Sequence, residues 1–227
     1  FPTRRSSDLD MARANARCDV LQRLQDQIED NQELNAWMAR LQLNLLPRLW
    51  QQISIESGWE TALEAVLRER IQAVTVDRLE QMLEWEAQRR PSAKWAVCEL
   101  VPDRSVSNDN TVRPDQRTWK PLSTLLSCRS PAVQAVLGNW LHGVFVTDSL
   151  TAALADRSLL TSGEMLVTAE GHSITSCGVS YFAPDSAVHG ILQRQREIAQ
   201  IREECEQIGQ SVLSQQQTLA AVEQDDQ

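Results

Sequence analysis

From Ile191 onward, apolar residues recur every seventh position. Ile191, Ile198, Cys205, Val212 and Leu219 fall at one core position, and Ile201, Ile208 and Val222 at the other. This pattern constrains the fold more than any other feature, because a helix with so narrow an apolar seam needs a partner helix to cover it. Arg194 and Gln215 interrupt the second set, the positions between are Gln, Glu and Arg, and no proline follows Pro184. A lone amphipathic helix on a globular body is the simpler alternative. The polar character of the other faces favours a coiled coil.

A weaker pattern of the same kind runs over residues 10–45. Leu21, Leu24, Ile28, Met38 and Leu45 hold a heptad register, with Asn31, Asn35 and Gln42 at seam positions, while Leu34 and Leu41 suit a neighbouring register. Pro47 ends the pattern, since proline removes a helical hydrogen bond. Each arm is then roughly 36 residues, about 55 Å at the rise of an α-helix. Arms of equal length (10–45 and 189–227) can pair antiparallel within one chain only if the ends of the intervening domain lie close together. The expected partners are Leu21, Leu24 and Ile28 against Ile208, Val212 and Leu219, with Met38 and Leu45 against Ile191 and Ile198. An exposed Trp37 on this arm would mark a partner surface. Phe1 to Leu9 match no periodicity and resemble a translated sequencing adapter, so residues 1–9 are expected to be non-native and the natural protein to extend upstream.

Between Leu46 and Val188 the pattern changes to short strands and helices, and it repeats. Ala65-Val66-Leu67, Ile71, Val74 and Val76 align with Ala135-Val136-Leu137, Leu141, Val144 and Val146 at a constant offset of 70. An Asp-x-Leu-x-x-x-Leu follows in both copies, at Asp77, Leu79, Leu83 and at Asp148, Leu150, Leu154, with each aspartate placed to cap the next helix. Strands are expected at 94–100 and 164–168. The unit is helix, strand, helix, strand, and its period is too long for a solenoid. The fold class is α+β: a domain over 46–188 with two pseudo-repeated α/β halves, 46–100 and 121–188. The joining segment 101–120 is rich in Pro, Asp, Asn, Ser and Arg and reads as a linker.

Catalytic signatures are missing from the sequence. The three histidines, His142, His172 and His189, have no metal-ligand spacing; Ser127-Cys128 and Ser176-Cys177 have no nucleophile-elbow setting; no phosphate-cradling glycine loop occurs. No catalytic residue, metal or cofactor is therefore expected in this chain. The five cysteines are scattered without a Cys-x-x-Cys pair, which fits a reducing cytosol. No apolar run approaches the roughly 20 residues that span a bilayer. The seven tryptophans include Trp59 and Trp140 in the paired helical segments, where core or half-to-half contacts are the simplest role.

A net charge of −9 argues against a dedicated nucleic-acid binder, and 46–188 carries 13 Lys and Arg against 17 Asp and Glu. Locally, however, Arg89, Arg90 and Lys94 cluster, as do Arg113, Arg117 and Lys120. Phosphate contacts depend on local potential, so a basic face is compatible with a negative domain; an ordinary solvated surface is the plainer reading.

Several runs carry a family resemblance: Leu46-Pro-Arg-Leu-Trp50, Gly58-Trp-Glu-Thr-Ala-Leu-Glu-Ala-Val-Leu67, Val136-Leu-Gly-Asn-Trp-Leu-His-Gly-Val-Phe-Val146, Gly178-Val-Ser-Tyr-Phe-Ala-Pro-Asp-Ser186 and Gly190-Ile-Leu-Gln-Arg-Gln-Arg-Glu-Ile198. They resemble the hinge of proteobacterial structural-maintenance-of-chromosomes (SMC) proteins. The resemblance implies a doughnut-like homodimer of two-halved domains, each inserted between antiparallel arms, in a protein acting in chromosome condensation and segregation. It also implies DNA as a partner, ATPase heads that lie outside this chain, accessory condensin-type subunits on those heads, and a cytoplasmic, nucleoid-associated location. Many hinges carry paired glycines in the interface strand, whereas Ser176-Cys177-Gly178 has one. Gly178, Val179 and Tyr181 are the expected dimer contacts; the alternative is that Val179 and Tyr181 complete the core of the second half. A ligand-sensing signalling domain between parallel coiled-coil linkers is the competing class. A Rad50-like hook would need a Cys-x-x-Cys at its apex and is excluded.

Overall fold

A computed structural model describes residues 12–23, 32–86, 94–100, 119–183 and 190–225, the side chains of 32, 86 and 215–225 excepted. The chain divides into two compact units, Phe1–Glu29 with Gln193–Gln227, and Asp30–Leu192. Residues 12–23 of the first unit form helix α1.

The central unit opens with helix α2 (Gln32–Arg40). Helix α2 ends in a turn at Gln42, whose φ of 58° is left-handed, so the helix stops well short of Pro47. The first half then runs through β1 (Ile53–Ile55), α3 (Glu60–Leu67), β2 (Val74–Val76), α4 (Gln81–Glu86) and β3 (Val97–Glu99). The second half follows the same order with β4 (Leu126–Cys128), α5 (Pro131–Trp140), β5 (Val144–Val146), α6 (Leu150–Asp156) and β6 (Met165–Val167). It adds a hairpin, β7 (Ser173–Ile174) and β8 (Val179–Ser180). In each half the strand before the crossover helix pairs in parallel with the strand after it, β2 with β3 and β5 with β6. The repeat expected from the sequence is therefore a repeat in space. Each sheet is also closed on its inner edge by the chain leading into the half, Arg48 bridging Val74 and Pro121 bridging Phe145.

The halves are joined by β1 and β4, which pair antiparallel with Ser54 opposite Ser127. Between the halves lies one shared core, in which Leu49, Ile53, Leu63, Leu67 and Ile71 meet Leu122, Val133, Leu137, Leu141 and Val144. Across this junction Arg70 of the first half stacks over the Trp140 ring of the second at 5.6 Å. Helix α5 begins sharply because Ser130 Oγ accepts from Val133 N at 3.3 Å and Pro131 occupies the first turn. At α6 the cap is Ser149, whose Oγ accepts from Ala152 N at 3.1 Å, and not Asp148. Likewise α4 begins at Gln81, beyond the capping reach of Asp77.

The N-terminal arm is shorter than its heptads suggest. Helix α2 lies on the sheet of the first half, where Trp37 and Met38, each 1% exposed, pack with Leu43, Val74 and Val76. Trp37 meets Trp95 edge to face at 5.1 Å, so it presents no partner surface. Met38 is thus core, not arm seam, and Leu45 is 76% exposed and seals nothing. The physical reason is that apolar spacing of three and four residues serves a helix on a sheet as well as a helix in a coil.

In the other unit, α7 (Ile191–Asp225) supplies the partner helix of α1 beyond its own first turn. Arg17 pairs with Glu197, and Asn15 Oδ1 accepts from the Cys205 thiol at 3.6 Å, so the helices run antiparallel within one chain. On α7 the heptad holds: Ile198 and Ile201 are buried, and Ile208 and Val212 half-buried. On α1 the covered residues are Ala14, Cys18 and Leu21. Leu24 and Ile28, and the side chain of Leu219, lie outside the described residues. The register differs from the expected one, because Arg17 sits beside Glu197 where the heptads set Leu21 against Ile208 and Val212. No helix among the described residues is long and apolar enough to cross a membrane.

Candidate dimerisation edge

The second sheet has the order β5-β6-β7-β8, so β8 is its outer strand. The hairpin that carries β8 turns at 175–178. Thr175 N donates to Gly178 O at 2.8 Å, and Gly178 N donates back to Thr175 Oγ1 at 3.1 Å. Strand β7 turns Ile174 fully into the core, whereas both residues of β8 are exposed. Val179 is 36% and Tyr181 73% exposed, so neither completes the core of the second half. A Cβ on Gly178 would meet nothing within 4 Å, which leaves room for close approach from outside.

What holds this exposed strand in place is on its inner side. Phe182 N donates to His172 Nδ1 at 3.1 Å, and the His172 ring meets Tyr181 edge to face at 5.3 Å. Gly171, at φ 85°, passes so close to its neighbours that a Cβ would sit 2.8 Å from Phe182 and 2.9 Å from Ala65 of α3. Gly171, His172 and Phe182 are the residues that sequence reasoning missed. The one local signal was the turn dipeptide Glu170-Gly171.

The first sheet ends likewise. Strand β3 pairs only with β2 among the described residues. Among the described residues, β3 in one half and β8 in the other are thus the end strands of their sheets. Unpaired edges of this kind are normally covered or paired.

Of the basic residues singled out in the sequence, Lys94 and Lys120 are exposed. Arg89, Arg90, Arg113 and Arg117 lie outside the described residues, as does most of the linker. Lys120 Nζ stands 3.5 Å from Glu56, an exposed pair of little energetic weight. Cys98 is buried in β3, where loss of hydration pushes its thiol up to about 11, and Cys128 in β4 is raised for the same reason. Cys177, on the hairpin turn, is exposed. Among the described residues no group of His, Cys, Asp and Glu is arranged to hold a metal ion.

Comparison with known proteins agrees with this architecture. A family model described as the SMC proteins flexible hinge domain matches residues 43–156. The chromosome partition protein Smc of Burkholderia pseudomallei is 36% identical over 207 residues, covering 91% of this chain and 17% of that protein. That of Bordetella petrii is 36% identical over 197 residues, covering 86% of this chain and 16% of that protein. The chain thus spans about a sixth of the length of these relatives. Among solved structures, an asymmetric dimer of the Geobacillus stearothermophilus SMC hinge domain matches with a TM-score of 0.58 at 19% identity, covering 95% of this chain and 96% of that one. With the hinge model spanning half of its length and the two-halved fold in place, this chain belongs to the SMC hinge family.

Proposed function

We propose that this chain is the dimerisation hinge of an SMC protein acting in chromosome condensation and segregation, and that it homodimerises through its two open sheet edges. The observation that carries the reading is β8: an outer strand with both residues exposed, followed at once by the Phe182 N–H bond to His172. In a symmetric pair, β8 of one copy meets β3 of the other, and the two-fold axis repeats the contact, so all four edges are closed at once. Gly178, Val179 and Tyr181 supply the contact, with Gly178 admitting the partner backbone. ATP hydrolysis and accessory condensin-type subunits belong to heads outside this chain, and the protein acts in the cytoplasm on the nucleoid. Weak DNA contact through Lys94 and Lys120, with Arg89, Arg90, Arg113 and Arg117, is part of the same proposal.

Light scattering tests the dimer directly. The wild-type chain should give twice its 25.6 kDa mass at micromolar concentration. Gly178→Glu has space in the isolated chain, so it should retain the far-ultraviolet helical signal while the mass falls to that of one chain. A wild-type protein that is monomeric at that concentration overturns the reading, and a Gly178→Glu protein that stays dimeric moves the contact elsewhere.

A further inference from the structure

Glu64 is a charged residue in an apolar setting: it lies on α3, is 3% exposed, and is bordered in sequence by Leu63 and Ala65. Its carboxylate turns to a segment 126 residues away. Oε2 accepts from Gly190 N at 2.6 Å and Oε1 accepts from Leu192 N at 2.9 Å. Gly190 immediately precedes α7, and its φ of 83° favours glycine there. Such a residue has no side chain with which to cap its own helix. Without Glu64 the Leu192 N–H of the first turn would lose this acceptor, at a place where Ile191 and Leu192 are buried. A carboxylate is the best group for this place, because it accepts two N–H bonds and its charge is favoured at a helix N-terminus.

The next residue of α3 faces the dimer edge. Ala65 Cβ and the Phe182 ring both crowd the place where a Cβ on Gly171 would sit. Two consecutive residues of α3 thus hold the start of the C-terminal helix and the seat of the β7–β8 hairpin.

We infer that α3 is a relay between the dimer edge and the root of the C-terminal arm, with Glu64 as the positioning residue that caps α7 from the first half. The chain reaches α7 from the second half, yet the first half decides whether its first turn is closed. A shift of Gly171, which Phe182 and Ala65 both approach, reaches Ala65 and so the adjacent Glu64, whose carboxylate Gly190 and Leu192 need. The connection to dimerisation rests on the reading of β8 given above; the cap itself does not.

Amide hydrogen exchange on the whole chain reads the device at the two amides concerned. Glu64→Ala should raise exchange at Gly190 and Leu192 about fivefold, the usual effect of losing an N-cap, and leave the Val144–Val146 and Met165–Val167 amides unchanged. Should the alanine variant unfold, Glu64→Gln keeps the volume and one acceptor, and should give a smaller rise at the same two amides. Unaltered exchange in both variants overturns the cap. For the relay, Gly171→Ala pushes on Phe182 and Ala65 and should also raise exchange at Leu192, less than additively with Glu64→Ala. A Gly171→Ala protein with altered mass or hairpin exchange but an unchanged Leu192 amide overturns the relay. If the wild type proves monomeric, the dimer reading fails on its mass alone, while Gly190 and Leu192 still judge the cap.

Discussion

The two halves of the central unit are copies in their order of elements and unlike in how their sheets are finished. In the first half β2 is buried at every residue, because α2 covers it with Trp37 and Met38. In the second half β5 is buried only at Val144, and the sheet is extended sideways by β7 and β8. The shared parts make a common core and the zipper of β1 with β4. The unshared parts are the α2 cover of the first half and the β7–β8 hairpin of the second, the edge proposed for dimerisation. A duplicated unit specifies the scaffold, and the departures from duplication decide how each sheet is finished.

The sharpest way to break this comparison is to remove the cover of the first half. Trp37→Ala should cost about 3–5 kcal/mol and Met38→Ala about 2–5 kcal/mol, as for other large-to-small core changes. Leu45→Ala should stay within about 0.5 kcal/mol, as expected of an exposed site. Urea midpoints at constant slope check all three. Equal costs at Met38 and Leu45 would return α2 to the arm.

Thiol chemistry separates the closed interior from the open edge. With burial raising Cys98 to about 11, it carries about a hundredfold less thiolate at pH 8 than an ordinary thiol, before access is considered. Cys177 on the hairpin turn should therefore alkylate quickly in the native protein, and Cys98 only on unfolding. The sign of the pH effect follows. A thiol raised in the folded state ionises more readily when unfolded, so its contribution to stability is intact below about 9 and declines as pH rises towards 11. Denaturation midpoints at pH 8 and pH 10, with and without Cys98→Ala, read that decline.

A smaller effect tests how the two copies start their fourth element. Ser149→Ala should destabilise by about 1 kcal/mol through loss of the α6 cap, and Asp148→Ala by no more than about 0.5 kcal/mol. The reverse ranking would restore the aspartate as the cap. The weakest effect concerns DNA. Replacing Lys94 and Lys120 with Ala should lower the salt slope of any binding by about one for each phosphate no longer neutralised, uniformly across sequences. No retention of the wild-type chain on DNA at low salt removes the proposal altogether.

Much of this was legible in the sequence. Ile198, Ile201, Ile208 and Val212 announce α7 because a long helix with a narrow seam repeats the same local rule many times. The offset of 70 between Val74 and Val144 announces the paired halves for a similar reason. The N-terminal heptads falter where α2 packs on the first sheet. Leu34, Trp37, Met38 and Leu41 make a broad stripe at spacings of three, four and seven, which is the footprint of a helix on a sheet. The neighbouring register of Leu34 and Leu41 was that stripe.

The chain's local order thus determined the helical seam, the duplicated strands and helices, and the turn residues that punctuate them. Tertiary structure alone decided that α2 lies on β2, that Val179 and Tyr181 stay exposed, and that Glu64 meets Gly190 and Leu192. Periodicity reports which face of an element is apolar, and says nothing of what covers that face. A contact between residues 126 positions apart leaves no period at all, and a buried glutamate in an apolar helix looks in sequence like any exposed one. Only the packing of one half against the other gives that carboxylate its partner.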